Sequence, residues 1–270
     1  MHDAPAIAPT PEFLAAAGAV GVEFERGDVE RLGRYLGLLL ETNRSFNLTA
    51  ITDPAQAWMR LIFDALTLVP LLADLPERGR VLDVGSGGGL PGVPLAIVMP
   101  RLDFTLLEAT GKKAEFLRSI ADRLHLANLT VVNDRAERAA HERGSKDERG
   151  GRDPAGPNDR TGRGLSGPVG LRGSFDAVTA RALGPLATAA ELTVPFAKVG
   201  GLILLVKGQR AEEELADAQE ALHLLHASHA ATVETPTGRI VVLEKFHHTP
   251  KVYPRRDGEP KRTPLGVRRP

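Results

Sequence analysis

The stretch Arg80-Val81-Leu82-Asp83-Val84-Gly85-Ser86-Gly87-Gly88-Gly89-Leu90-Pro91-Gly92 decides the fold. Val81, Leu82 and Val84 read as a short buried strand, and the glycines follow at once. Glycine reaches positive φ freely and lets a backbone approach a ligand that any Cβ would hold off. An apolar run resumes at Leu95-Ala96-Ile97, so a helix should open near Gly92-Val93-Pro94, with Pro94 in its first turn. Strand, glycine turn and helix make a nucleotide-type corner at the carboxyl end of a parallel strand.

Strand and helix patterns alternate on the carboxyl side of that corner, which argues for a parallel sheet covered on both faces. Strands are expected at 81–84, 103–107, 129–132, 175–179 and 201–206, with helices at 94–98, 111–124, about 185–197 and 212–225. A last pair, 230–234 and 240–244, joined by Thr235-Pro236-Thr237-Gly238-Arg239, is hairpin-like. On the amino side, Thr10-Pro11 opens a short helix through Val20, and Val29, Leu32, Leu36 and Leu39 recur at helical spacing over 27–43. Asp53-Pro54 caps a third helix through Leu72. The chain thus divides into an N-terminal helical unit (1–76), a sheet domain (77–250) and a tail (251–270). The helical unit either covers a sheet edge or helps form a substrate mouth. Residues 140–174 carry Gly, Arg, Asp, Pro and Ser without apolar period and read as a disordered surface insertion.

The 270 residues suffice for one large core, and the charged fraction of 25% and apolar fraction of 42% are ordinary for a globular protein. There is no cysteine. Disulfides, thiolate metal sites and a cysteine nucleophile are therefore excluded, which suits a reducing, cytoplasmic setting. Met1 to Thr10 lack a basic segment followed by an apolar core, so no signal peptide is expected, and apolar runs such as Leu36–Leu40 are too short for a membrane span. Net charge is zero, yet from Lys245 onward eight basic residues face only Asp257 and Glu259. That tail is either the electrostatic footprint of a polyanion or a solvated, disordered end. His223, His226 and His229 sit at metal-like spacing, but no carboxylate is paired with them and the last has left the helix; we expect a solvated face and no metal.

A glycine turn alone is a weak signal, and Gly87 to Gly92 even meets the G-x-G-x-x-G spacing of a dinucleotide-binding oxidoreductase. That match begins two residues late, and counted from Gly85 the third glycine's place holds Leu90. Asp83-x-Gly85-x-Gly87-x-Gly89 is instead the pattern of S-adenosyl-L-methionine-dependent methyltransferases, whose ligand lacks a pyrophosphate and wants a carboxylate near the first turn for its amino group. Glu108, closing the second strand, is placed to accept hydrogen bonds from ribose hydroxyls. The acceptor narrows by absence. Without cysteine there is no pyrimidine C5 chemistry. Thr179-Ala180-Arg181-Ala182 after the fourth strand is not the Asn/Asp-Pro-Pro-aromatic turn that orients an exocyclic amine. A ring nitrogen with a free lone pair, such as guanine N7, needs alignment rather than a base.

Taken with Asn47-Leu48-Thr49-Ala50-Ile51, Asp83 to Ala96 with its two prolines, Lys112-Lys113 with Phe116-Leu117, Phe175-Asp176-Ala177-Val178 with Arg181-Ala182, Leu205-Val206-Lys207-Gly208 and the tail from Tyr253 to Leu265, the chain resembles the glucose-inhibited division protein B family. Those are bacterial methyltransferases acting on guanine N7 of 16S rRNA. The resemblance implies a class I methyltransferase fold, a Rossmann-like seven-stranded mixed sheet in the α/β class. It implies cofactor contacts at Gly85, Gly87, Gly89, Leu90, Ala136, Glu137 and Arg181, with Glu108 at the family's acidic position. Lys112, Arg135 and Arg239 would lie nearest the RNA, with Arg255, Arg256 and Lys261 of the tail on phosphates. The substrate would be 16S rRNA, free or within a small-subunit particle. In the third helix the family has Arg-His before Ile/Leu-x-Asp-Ser, whereas Arg60-Leu61-Ile62-Phe63-Asp64-Ala65 lacks the histidine and the serine. Two readings stand beside this one: a nicotinamide-dependent oxidoreductase, and a non-catalytic rRNA-binding factor on the same fold.

Overall fold

The computed structural model describes residues 5–141 and 170–266, so the predicted insertion falls almost wholly outside the described residues. Seven strands form one sheet in the order β3-β2-β1-β4-β5-β7-β6: β1 Arg80–Val84, β2 Asp103–Leu107, β3 Leu129–Val132, β4 Phe175–Arg181, β5 Ala197–Lys207, β6 Ala227–Thr235 and β7 Gly238–Lys245. The first five run parallel, and β7 inserts antiparallel between β5 and β6, so the hairpin-like pair is a true hairpin. Strand order reverses between β1 and β4, the point where open α/β sheets leave a crevice for ligands.

Helices α1 (Pro11–Ala19), α2 (Asp28–Asn43) and α3 (Pro54–Ala57) precede the sheet. Thr10 accepts the Phe13 N–H and Asp53 the Gln56 N–H, so both sequence-read caps hold. The third expected helix is not continuous. After α3 the chain widens into a π-helical turn, Trp58–Phe63, and continues as α4 (Asp64–Leu66) and α5 (Val69–Leu72). Proline at position 70 and the wide turn interrupt the regular ladder. Residues 54–72 are, by length and composition, apolar enough to cross a membrane, with mean hydropathy 1.3, and so exceed short apolar runs such as Leu36–Leu40. Their apolar side chains are accounted for, since Trp58, Leu61, Ile62, Phe63, Leu66, Leu68 and Leu72 are buried in the protein core. One hydrophobic cluster joins these helices, through Tyr35, Leu36 and Trp58, to Val81, Phe104 and Leu106 of the sheet.

Between the strands run α6 (Gly92–Val98), α7 (Gly111–Arg123), α8 (Ala136–Ala139), α9 (Leu186–Thr193), α10 (Ala211–Asp217) and α11 (Gln219–Leu225). The single helix expected over 212–225 is split at Ala218. The break lets Ala211 of α10 and Ala221, Leu222 and Leu225 of α11 enter the same cluster on the opposite sheet face. The tail carries α12 (Glu259–Arg262) and is strapped to the body. Arg172 donates to the carbonyls of Thr249, Pro250 and Tyr253, and His141 Nε2 lies 2.7 Å from the Pro254 carbonyl. Of the two sequence readings, a solvated disordered end does not describe residues 251–266.

Candidate functional site

The glycine turn is held from all sides by its own neighbours. Gly85 and Ser86 donate to the Leu107 carbonyl at 2.8 and 3.3 Å, Gly89 donates to the Ser86 carbonyl at 2.7 Å, and the Leu90–Pro91 bond is cis. Gly85, Gly87 and Gly89 all have positive φ (71°, 56° and 99°), which L side chains tolerate poorly. Space separates their roles further. A Cβ at Gly89 would lie 2.6 Å from Val93 Cγ2, and one at Gly88 would lie 2.8 Å from Leu39 Cδ1. A Cβ at Gly87 would meet nothing nearer than the Gly85 carbonyl oxygen at 3.8 Å, so open room lies beside this one residue.

The N-terminal helices build one wall of this turn. The Tyr35 hydroxyl of α2 donates to the Gly88 carbonyl at 2.8 Å, and burial pushes that phenol far above its ordinary pKa. Asn43, at the end of α2, accepts the N–H groups of Leu48 and Thr49 and donates to the Thr49 carbonyl. Asn47-Leu48-Thr49-Ala50-Ile51 is thereby set as a loop with Leu48 packed over Gly88.

Asp83 departs from its expected role. Its side chain is fully buried, accepting the Gly92 N–H at 3.2 Å and the Thr179 hydroxyl at 3.3 Å. Burial pushes its carboxyl up to about 7, and the charge of Glu108 adds to the rise. It braces the turn against α6 and offers nothing to a ligand's amino group. Glu108 stands where the sequence placed it, at the end of β2. Its two oxygens accept the Gly87 N–H at 2.9 Å and the Thr110 N–H at 2.7 Å, which fixes the carboxylate against the turn. Ala136 and Glu137 open α8 after β3; the Glu137 carboxylate is turned toward the tail and accepts the Gly258 N–H at 2.9 Å.

Beside the turn, at the carboxyl ends of β4 and β5, a cavity of about 520 Å³ is lined by Ile51, Arg60, Asp64, Arg181, Lys207 and Thr237, among others. It lies one strand from the turn: Val84 pairs with Ala180, the residue before Arg181, and a Cβ at Gly85 would touch Leu183, between the lining residues Ala182 and Gly184, at 2.5 Å. Arg181 Nη1 lies 3.0 Å from Asp64 Oδ2, yet off the line of a hydrogen bond. Asp64 Oδ1 accepts the Thr237 hydroxyl at 2.5 Å. Lys207 Nζ binds Glu214 at 2.7 Å and the Gly184 carbonyl at 2.6 Å. Ala182, next along, takes φ 57°, an uncommon conformation for a residue with a Cβ and one concentrated at functional turns.

Sequence reasoning named Arg181 but missed Asp64, Thr237 and Tyr35. The signal for Asp64 was in the Arg60 to Ala65 segment. There the two family departures, Leu61 and Ala65, are each 1% exposed and belong to the core, while Arg60 and Asp64 line the cavity. The missing histidine and serine therefore leave the cavity wall intact.

The residues expected on RNA divide. Lys112 is exposed at the start of α7, beside a smaller apolar cavity with Phe46 and Phe116. Arg256 and Lys261 are also exposed. Arg135 pairs with Asp257 at 3.6 Å, and Arg239 is held between Glu234 at 3.2 Å and Glu212 at 3.4 Å. Arg255 is engaged most firmly, by the buried Glu191. Among the described residues no three His, Asp or Glu side chains gather as metal ligands, and His226 and His229 face a carbonyl and a threonine instead.

Comparison with known proteins fits this geometry. The family model described as rRNA small subunit methyltransferase G matches residues 28–147 and 169–241, and the unmatched interval lies inside the predicted insertion. A ribosomal RNA small subunit methyltransferase G of Sorangium cellulosum is 47% identical over 250 residues, 93% of each chain. Proteins of that name from Leuconostoc citreum and Streptococcus thermophilus are 37% and 34% identical over 94% and 95% of this chain, covering 98% and 100% of their own. With more than two thirds of its length in register with such relatives, and its glycine turn and β4 corner built as described, the chain belongs to the rRNA small subunit methyltransferase G family.

Proposed function

We propose that this protein transfers the methyl group of S-adenosyl-L-methionine to N7 of one guanine in 16S rRNA. The observation that carries the reading is the junction of two features at the sheet's switch point. A glycine turn with open room at Gly87 lies against Glu108, and a cavity with Arg181 and Asp64 lies one strand away. Membership of a methyltransferase family leaves the oxidoreductase alternative without support.

In this reading the turn from Gly85 to Leu90, Glu108, Ala136 and the backbone at Glu137 hold the cofactor, and Arg181 borders it. When bound, the cofactor supplies an electrophilic methyl on a sulfonium. Glu108 spends one lone pair of each oxygen on the turn and keeps the others for ribose hydroxyls. Guanine N7 needs no base, because its in-plane lone pair is free. The protein's part is to hold that lone pair in line and to keep water from the cavity. The target nucleotide reaches the cavity by leaving its stack. The helical unit of residues 1–76 then serves as the mouth, through Ile51, Arg60 and Asp64, while Tyr35 holds the glycine turn from behind. The substrate is 16S rRNA within a small-subunit particle, in the cytoplasm, and Lys112, Arg135, Arg239, Arg256 and Lys261 lie toward its phosphates.

Mass mapping of 16S rRNA from cells with and without the gene tests the proposal. We expect one methylated guanine to disappear with the gene. An unchanged modification pattern, or tight rRNA binding with no transfer from labelled cofactor, overturns it.

A further inference from the structure

We propose that Asp64 reads the Watson–Crick edge of the target guanine. The inference rests on the function proposed above. Methylation at N7 requires the purine's imidazole side to face the methyl donor, which turns N1 and the 2-amino group toward the opposite wall. Two carboxylates line the cavity, Asp64 and Glu214; Glu214 accepts a well-aligned hydrogen bond from Lys207 at 2.7 Å, whereas the Arg181 contact to Asp64 is off line. Asp64 is differently placed. It is 7% exposed, so a partner it gains there is largely dehydrated. A carboxylate offers about four acceptor positions. Thr237 takes one on Oδ1, and Arg181 stands at Oδ2 without a well-aligned bond, so each oxygen keeps acceptor capacity.

Guanine presents two parallel donors, N1–H and N2–H, at the spacing of a carboxylate's two oxygens. Adenine presents the N1 lone pair instead, which a carboxylate repels. The cavity's cations complete the match, because O6 is an acceptor and the third N–H of Lys207 has no partner in the two bonds described. The contact also strengthens along the reaction. As the methyl joins N7, the ring gains positive charge and its N1–H becomes a better donor, so Asp64 binds the transition state more tightly than the ground state. Arg181 and Thr237 are the residues that fix the carboxylate plane. Asp64 follows directly on the π-helical turn Trp58–Phe63.

The test uses the full chain and small-subunit particles reconstituted on 16S rRNA carrying guanosine or inosine at the methylated position. Inosine lacks only the 2-amino group. With the unmodified protein we expect inosine to lower kcat/KM about 10- to 100-fold, the range for one hydrogen bond to a charged group. With Asp64→Asn we expect the guanosine rate to fall and the guanosine-to-inosine ratio to shrink to within about 3-fold, as coupled partners require. Equal rates on both bases with the unmodified protein overturn the proposal, and this arm needs no variant to fold. So does an Asp64→Asn ratio equal to that of the unmodified protein, which would make Asp64 only a clamp on Arg181. Absence of transfer to guanosine itself is the different result that overturns the proposed function.

Discussion

Arg181 and Arg255 each meet a buried carboxylate, and the two pairs are built to different standards. Arg255 is bidentate on Glu191, Nε to Oε1 at 2.9 Å and Nη2 to Oε2 at 2.6 Å, and its backbone N–H adds a third bond to the same carboxylate at 2.8 Å. That hydrogen bonding holds its guanidinium above the ordinary range, and Nη2 also donates to the Thr263 carbonyl. Arg181 makes one ion-pair contact to Asp64, off line, at the wall of a cavity. A saturated pair is a fastener; it ties the tail to α9. An unsaturated pair with open volume beside it has binding capacity in reserve. An arginine over a buried acid is thus not one kind of object, and the count of unused donors and acceptors separates the two.

The comparison breaks most visibly at Glu191. Glu191→Ala removes three hydrogen bonds from Arg255 and leaves it only Thr263 and Glu259, and we expect a loss of about 2–3 kcal/mol in urea unfolding, the scale for hydrogen bonds to a charged group. A loss below about 1 kcal/mol would mean the tail is not fastened there. Arg181→Ala should do the reverse. Transfer to 16S rRNA is expected to fall about 10- to 100-fold, the scale for a charged group that holds Asp64 against its substrate. Its unfolding midpoint should fall less than that of Glu191→Ala, since Arg181 makes a single ion-pair contact and Thr237 still donates to Asp64. A variant that loses stability and keeps its rate would turn Arg181 into a second fastener.

How much of this could be read beforehand differs with the range of the interaction. The turn from Gly85 to Gly92, Glu108 at the next strand end and Arg181 after the fourth strand all depend on local pattern and strand order, and each stands where the sequence put it. The same pattern points Asp83 at a ligand, whereas its carboxylate is bonded inside the fold. Nothing in a sequence shows that Thr179, 96 positions away, supplies a hydroxyl to it. Asp64 to Thr237 spans 173 positions and Arg255 to Glu191 spans 64, so neither pairing has a local signature. The tail read as loose or polyanion-binding because its charges were visible and their partners were not. The broken third helix was hidden by its apolar period, which survives the π-helical turn.

Asp83 supplies the next sharpening, since it is a buried acid with no cation beside it among the described residues. Its carboxyl is raised to about 7, well above its ordinary value in an unfolded chain. Between those two values the folded state holds a proton that the unfolded state has released. Stability from this group is therefore present below pH 4 or so and is lost as pH rises toward 7. Asp83→Asn removes the titration, so relative to the unmodified protein the variant should gain about 2–3 kcal/mol between pH 5 and pH 8. A pH-independent difference in urea unfolding would show that Asp83 is ionised in the folded protein.

The smallest effect separates charge from fastening within the tail itself. Arg256 and Lys261 are exposed, whereas Arg255 is committed to Glu191. If exposed charges meet RNA phosphates, Arg256→Ala and Lys261→Ala should each lower the slope of log affinity against log salt by about 1, with unfolding unchanged. Arg255→Ala should lower stability and leave that slope nearly alone, because its charge is spent internally. Filter binding of 16S rRNA at several salt concentrations, set beside urea unfolding of the three variants, reads both quantities. Slopes equal to that of the unmodified protein in all three variants would mean that the tail's basic charge is not spent on RNA phosphates. A large slope change at Arg255 alone would mean that RNA competes with Glu191 for its guanidinium, and that the fastener opens when substrate binds.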